Sequence, residues 1–135
     1  MKKIFFFVTL FIAVILISSC EKDAGKLPLI SFKTATGYTA ADASITKGAS
    51  IKMGVDCEKA EKYDVLKKFN ISKSVNGAAA VSVYDQDLSG ADQDKFSYDY
   101  SITQDTVVGR KTTYTYTITN RDGLVNQVTC TLTTK

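Results

Sequence analysis

Thr113-Tyr114-Thr115-Tyr116-Thr117-Ile118-Thr119-Asn120-Arg121-Asp122-Gly123 alternates threonine with Tyr114, Tyr116 and Ile118, then ends in a turn signal. Successive side chains of a strand point to opposite faces. This spacing therefore puts two tyrosines and an isoleucine on one face and the threonines on the other. Asn120-Arg121-Asp122-Gly123 reads as a hairpin turn in which Gly123 can take a positive φ. Val128, Cys130 and Leu132 resume the alternation beyond it. A long hairpin with one apolar face needs a sheet to carry it and a second layer to cover it.

The upstream sequence supplies that material. Leu29-Ile30-Ser31-Phe32 predicts a first strand. Ile51, Met53, Val55 and Cys57 alternate with Lys52, Gly54 and Asp56 in a second. Phe69 and Ile71 mark a third, Val81 and Val83 a fourth, and Phe96, Tyr98, Tyr100 and Ile102 a fifth. With the opening hairpin this gives about seven strands rich in Thr, Val, Ile and Tyr, which suit a pleated, half-buried surface. Asn76-Gly77 and Ser89-Gly90 punctuate two further joins. Residues 58–66 have room for one helical turn, and no longer stretch keeps a helical period. The expected fold is an all-β, antiparallel two-sheet sandwich, with a closed barrel as the alternative.

The amino-terminal segment follows a different logic. Lys2 and Lys3 precede an apolar run from Ile4 to Ile17, about 14 residues long, interrupted only by Thr9. Small residues Ser18 and Ser19 follow, which completes the three-part layout of an export signal. The run is shorter than the roughly 18–20 residues a membrane span needs. Ile17-Ser18-Ser19-Cys20 resembles the lipobox of bacterial lipoproteins. That resemblance implies cleavage before Cys20 and a covalent lipid, a diacylglyceryl thioether plus an N-acyl chain, on that residue. Each buried methylene contributes about 0.8 kcal/mol, and two or more chains hold stably where one holds reversibly. The expected division is a signal peptide over 1–19, a lipidated cysteine and tether over 20–28, and a domain over 29–135. Glu21-Lys22-Asp23 resembles the export tags of lipoproteins in Bacteroides-type Gram-negative bacteria. It implies the outer membrane, with the domain in the periplasm or on the cell surface.

Composition narrows the function. Removing the first 19 of 135 residues leaves 116, enough for one domain with its own core. The leader holds two of the 17 basic residues and none of the 14 acidic ones, so the mature net charge is near +1. No basic stripe survives, which argues against a nucleic-acid partner. Histidine is absent, which removes Ser-His-Asp and Cys-His nucleophile systems and most zinc sites. Tryptophan is absent as well.

The end hairpin, 113–123 followed by 128–132, resembles the last hairpin of bacterial Ig-like modules. Leu66-Lys67-Lys68-Phe69-Asn70-Ile71 is similar to the third strand of small Ig-like lipoproteins of Bacteroides-type bacteria. The resemblance covers roughly 30–135 in layout and brings no catalytic or ligand residues with it. The cysteine pair and core Trp of antibody domains are missing.

Several residue groups are candidates for chemistry. Cys57 and Cys130 could form a disulfide in an oxidising compartment. It would close a loop of about 70 residues and contribute roughly 4 kcal/mol. Their places in two oppositely directed strands favour two buried thiols instead. Asp85, Asp87, Ser89, Asp92 and Asp94 partly match a calcium loop, but Phe96 stands where the bidentate Glu belongs. A polar connection built on Asx turns, with no metal, is the favoured reading. Ser44 and Lys47 match Ser-x-x-Lys of serine acyl enzymes without the companion motifs. Asp105-Thr106-Val107 resembles the O-glycosylation signal of Bacteroides-type exported proteins, with Thr106 the acceptor. The inward tyrosines are expected in the core. Tyr38, Tyr63 and Tyr84, off that period, are the candidate surface aromatics. The sequence thus predicts a non-catalytic, membrane-tethered binding module for a protein or glycan, without a cofactor beyond its lipid. The alternatives are a structural or assembly subunit of an envelope complex and a small-ligand carrier barrel.

Overall fold

The computed structural model describes residues 25–135. The predicted leader, Cys20 and the start of the tether lie outside the described residues. Eight strands form the domain: β1 (Leu29–Phe32), β2 (Ala43–Ile45), β3 (Ser50–Glu58), β4 (Leu66–Val75), β5 (Val81–Asp87), β6 (Lys95–Thr103), β7 (Lys111–Asn120) and β8 (Val125–Thr134). They make two sheets, of order β1-β3-β6 and β2-β8-β7-β4-β5. The molecule is therefore a sandwich and not a closed barrel. Strands β1, β3 and β6 opposite β4, β7 and β8 give the sheet partition of an immunoglobulin-like fold. Residues 58–66 contain bends rather than a helical turn, and among the described residues a short 3-10 turn covers Gly90–Gln93.

All seven expected strands are present, and the eighth is β2. It runs parallel to the end of β8, pairing Ala43 with Leu132 and Ile45 with Thr134. The sandwich is thus not purely antiparallel. Three residues are too few to display a period of two, so β2 left no pattern in the sequence. At the β4–β5 join Asn76 and Gly77 both have positive φ, 50° and 77°, and Ala78 N donates to Val75 O at 2.9 Å. This is the mirror-image turn that matches strand twist.

Facing side chains of β3, β4, β6, β7 and β8 fill the core. Met53, Val55, Leu66, Phe69, Ile71, Tyr116, Ile118 and Leu132 are fully buried. Phe32 of β1 meets Tyr116 of β7 edge-on at 5.4 Å between ring centroids. Tyr100 of β6 meets Tyr114 of β7 at 6.1 Å. These contacts put β1 and the end of β6 over β7, and Tyr98 of β6 meets Phe69 of β4 and Tyr84 of β5.

The fourth strand faces opposite to expectation. Val81 and Val83 are 65% and 40% exposed, and Tyr84 packs on the core. The register explains it: Ile71, an inward residue, pairs with Tyr84, and the pairing shifts just beyond, between Ile71 and Ser72. A one-residue slip exchanges the faces of a strand. The larger apolar body of tyrosine occupies the side that leads to Tyr98.

Tyr116 has one unusual feature. Its ring is fully buried, and its hydroxyl has no hydrogen-bond partner among the described residues. Burial pushes its pKa well above the ordinary phenol value. A buried hydroxyl without a partner costs about 1–3 kcal/mol. Tyr116→Phe is therefore expected to stabilise the domain by about 1–2 kcal/mol, read as a higher urea midpoint at unchanged slope. A lower midpoint would mean that the hydroxyl does have a partner.

Candidate interaction site

The chain enters the domain at one end of the sandwich. Pro28 is buried, Asn126 Nδ2 donates to Pro28 O at 2.8 Å, and Lys26 N donates to Glu61 Oε2 at 3.1 Å. Within the segment expected as the tether, Lys26 and Pro28 thus already hydrogen-bond to the domain. At this end an open cleft of about 640 Å³ lies between β1, β3 and β6. Leu29, Ile30, Cys57 and Phe96 give it apolar walls. The ion pair of Lys95 with Glu58, 3.1 Å, stands at its edge.

One flank of the sandwich is open. β5 ends the larger sheet and β6 ends the smaller, and both lie on the same side. Tyr84 of β5 stacks on Tyr98 of β6 with centroids 4.3 Å apart. Phe69 supports both rings from β4, at 6.1 and 5.6 Å. Among the described residues no strand pairs with the outer edge of β6, which runs regularly for nine residues. Its outward side chains are Ser97, Asp99, Ser101 and Thr103, and its inward Tyr98, Tyr100 and Ile102 are only half-buried. The edge of β5 is shorter and interrupted by its register shift.

The three surface tyrosines have different fates. Tyr63 lies in the β3–β4 connection, 44% exposed, with Lys62 Nζ 5.0 Å from its ring centre. Tyr84 belongs to the flank stack. Tyr38 closes a network on the outer face of the smaller sheet. Its hydroxyl donates to Asp99 at 2.8 Å, and Lys33 and Lys52 reach the same carboxylate at 2.6 and 2.7 Å. The hydrogen bond from Lys33, then those from Lys52 and Tyr38, hold the Asp99 carboxyl well below the usual carboxylate range. The contribution of this network is present above the ordinary carboxylate pKa and fades as pH falls toward the lowered value. The cluster sits on Gly54, where an added Cβ would lie 2.6 Å from the Tyr38 ring and 2.7 Å from Asp99. Its donors and acceptor satisfy one another, so it fastens the 33–39 loop rather than offering open groups.

The five calcium candidates do not gather into one site. Asp85 is bound to Lys68 at 2.8 Å and to Asn70, while Asp94 is bound to Lys59 at 2.5 Å on the other side of the β5–β6 connection. Asp87 ends β5, Ser89 precedes the 3-10 turn and Asp92 lies within it. Among the described residues no group of three or more acidic or cysteine side chains is placed to hold a metal. Lys68 of β4 neutralises Asp85 and Lys59, just past β3, neutralises Asp94. Ser44 lines a small hollow with Asp42, Lys111 and Thr131, and Lys47 is not part of it. Thr106 is exposed in the β6–β7 loop, beside an Asp105 carboxylate that accepts from Val107 N and binds Arg110.

Cys57 and Cys130 are free and buried. Cys130 Sγ donates to Ala41 O at 3.2 Å. Cys130 pairs with Tyr114, which meets Tyr100 opposite Met53, four residues along β3 from Cys57. That offset is about 13 Å, far beyond the reach of a disulfide. Burial pushes the two thiols up to about 12 and about 11. Neither is expected to react with iodoacetamide in the folded protein at pH 8, and both in denaturant without reductant. A mass deficit of two hydrogens that reductant removes would contradict this.

The sequence does not announce the buried polar lock at the entry end. Asp64 and Asn120 are both buried and hydrogen-bonded to each other. Leu124 N donates to Asn120 Oδ1 at 2.7 Å, and Asp122 N to Asp64 Oδ1 at 3.3 Å. The lock ties the β7–β8 turn to the β3–β4 connection, and a lone Asp and a turn Asn carry no pattern that would announce it.

No protein-family model matches the chain, and no curated protein matches it. Among solved structures it is similar to the sporulation control protein Spo0M of Bacillus subtilis, with a TM-score of 0.51 and 6% identity. The match covers 82% of this chain and 50% of that one, so the chain spans about half the length of Spo0M. The likeness is one of fold.

Proposed function

We propose that the chain is a non-catalytic, Ig-like binding module of the cell envelope, held at the outer membrane by lipid on Cys20. Its ligand is an extended segment of another protein that adds to the open edge of β6. The supporting observation is that flank: a regular nine-residue edge with half-buried aromatic residues just inside it. Strand addition draws its affinity from main-chain hydrogen bonds and its selectivity from alternate side-chain positions, and β6 offers both. Edges that proteins protect are short, bulged or covered, which describes β2 and β5 better than β6. The missing histidine and the buried thiols agree with a role that is not catalytic.

The test is site-specific photo-crosslinking in whole cells. Probes at Ser97 and Ser101 are expected to capture one partner of defined mass, and a probe at Thr115, on the outer face of a central strand, none. Equal capture at all three positions, or at none, would contradict the edge as the binding site.

A further inference from the structure

The geometry points to a second attachment: the entry end of the domain rests on the lipid surface itself. This rests on the reading of Cys20 as the membrane anchor. Leu27, Leu29, Tyr63 and Val125 are between 44% and 54% exposed, and the structure brings them to one end. Lys26 is bonded to Glu61, two residues from Tyr63, and Pro28 is bonded to Asn126, beside Val125. Leu27 lies between those two ties. The other strongly exposed large apolar side chains, Val81, Val83, Val107 and Val108, lie on β5 and in the β6–β7 loop.

Three arguments commit this patch to lipid. The described chain begins at Gly25, at this end, so an anchor at Cys20 pulls these residues, and not the far end, toward the bilayer. Six residues from Cys20 to Lys26 reach at most roughly 20 Å. That confinement raises the effective concentration of the patch at the surface, so contacts too weak to bind alone are made. The chemistry is also that of the lipid interface. Tyrosine is enriched there, and the Lys62 ammonium lies 5.0 Å from the Tyr63 ring centre, within cation–π range at the polar side of the patch. Charges at this end are mixed, with Lys26 and Lys62 next to Glu58 and Glu61. The contact is therefore apolar and does not depend on anionic lipid. Docking would hold the long axis of the sandwich upright, with the β6 edge facing sideways and accessible.

The chain has no tryptophan, so one introduced residue reports its own surroundings. Residues 20–135 are coupled through the Cys20 thiol to a maleimide lipid in phosphatidylcholine–phosphatidylethanolamine vesicles, since Cys57 and Cys130 are buried. A Tyr63→Trp reporter is expected to shift to the blue and to be quenched about twofold or more by lipids spin-labelled near the headgroup. A Val108→Trp reporter at the far end is expected to do neither. Quenching should survive about 0.5 M salt and be lost when Leu27→Glu and Leu29→Glu are added. An unquenched reporter at position 63, or equal quenching at both positions, overturns docking and returns the patch to a protein partner. The mass of the native chain tests the anchor separately. A lipidated native chain with an unquenched reporter would refute docking alone. An unlipidated native chain would refute the anchor and, with it, docking of the native chain, since a quenched reporter would then reflect only the artificial tether.

Discussion

Phe69→Ala is expected to destabilise the domain by about 4 kcal/mol, measured as a fall in urea midpoint at nearly constant slope. Phe69 is fully buried on β4, and its ring reaches four others. Phe96 lies at 5.1 Å and Tyr98 at 5.6 Å in the opposite sheet, and Tyr84 and Tyr116 at 6.1 and 6.3 Å in its own. Truncation removes the transfer energy of the ring and leaves a cavity that β-sheets on both sides cannot collapse to fill. Single domains hold only about 5–15 kcal/mol in total, so this one change removes a large share. It also loosens the floor under the Tyr84–Tyr98 stack, so capture at Ser97 and Ser101 should weaken before the domain unfolds. A loss below about 1.5 kcal/mol would mean that the site repacks and that the two sheets do not depend on this ring.

Asn120→Ala is the second large effect, with an expected cost of roughly 3 kcal/mol. The side chain satisfies Asp64 on one side and Leu124 N on the other, at the point where the β7–β8 turn meets the β3–β4 connection. Removing it takes a donor from a buried carboxylate and an acceptor from a turn amide. Hydrogen bonds to charged groups are the stronger kind, so most of the cost is placed on Asp64. A double-mutant cycle with Asp64→Ala isolates that part, and coupling of about 1.5–3 kcal/mol is expected. Coupling near zero would show that the two side chains contribute independently and that the lock is a chance juxtaposition.

These two residues differ in how the sequence announces them. Phe69 alternates with Lys68 and Asn70, so its inward face was legible. So was the β7–β8 hairpin, because period-two patterns are long there and end in Asn120 to Gly123. The facing of β5 was misread because Val81 and Val83 outscore Tyr84 as apolar residues, and pairing with β4, a long-range property, settled the register. β2 was too short to show a period. Asp64 and Asn120 meet across 56 residues of sequence, a separation at which single residue types carry no signal. Gly54 did carry one: an isolated glycine inside a strand marks a close approach, and Tyr38 and Asp99 are what approaches it. The calcium-like spacing shows the opposite limit, since a linear motif ignores the lysines that distant parts of the chain, Lys59 and Lys68, bring to its carboxylates.

The most direct test concerns Cys20, in a fractionation of cells that express the native chain and Cys20→Ala side by side. The native chain should remain with the envelope and partition into detergent, with a mass that begins at Cys20 and includes bound acyl chains. The entry-end patch is too small to hold the domain without that anchor, so Cys20→Ala should appear in the soluble fraction. An alanine variant that sediments with membranes as fully as the native chain would contradict the tethered-module reading at its root.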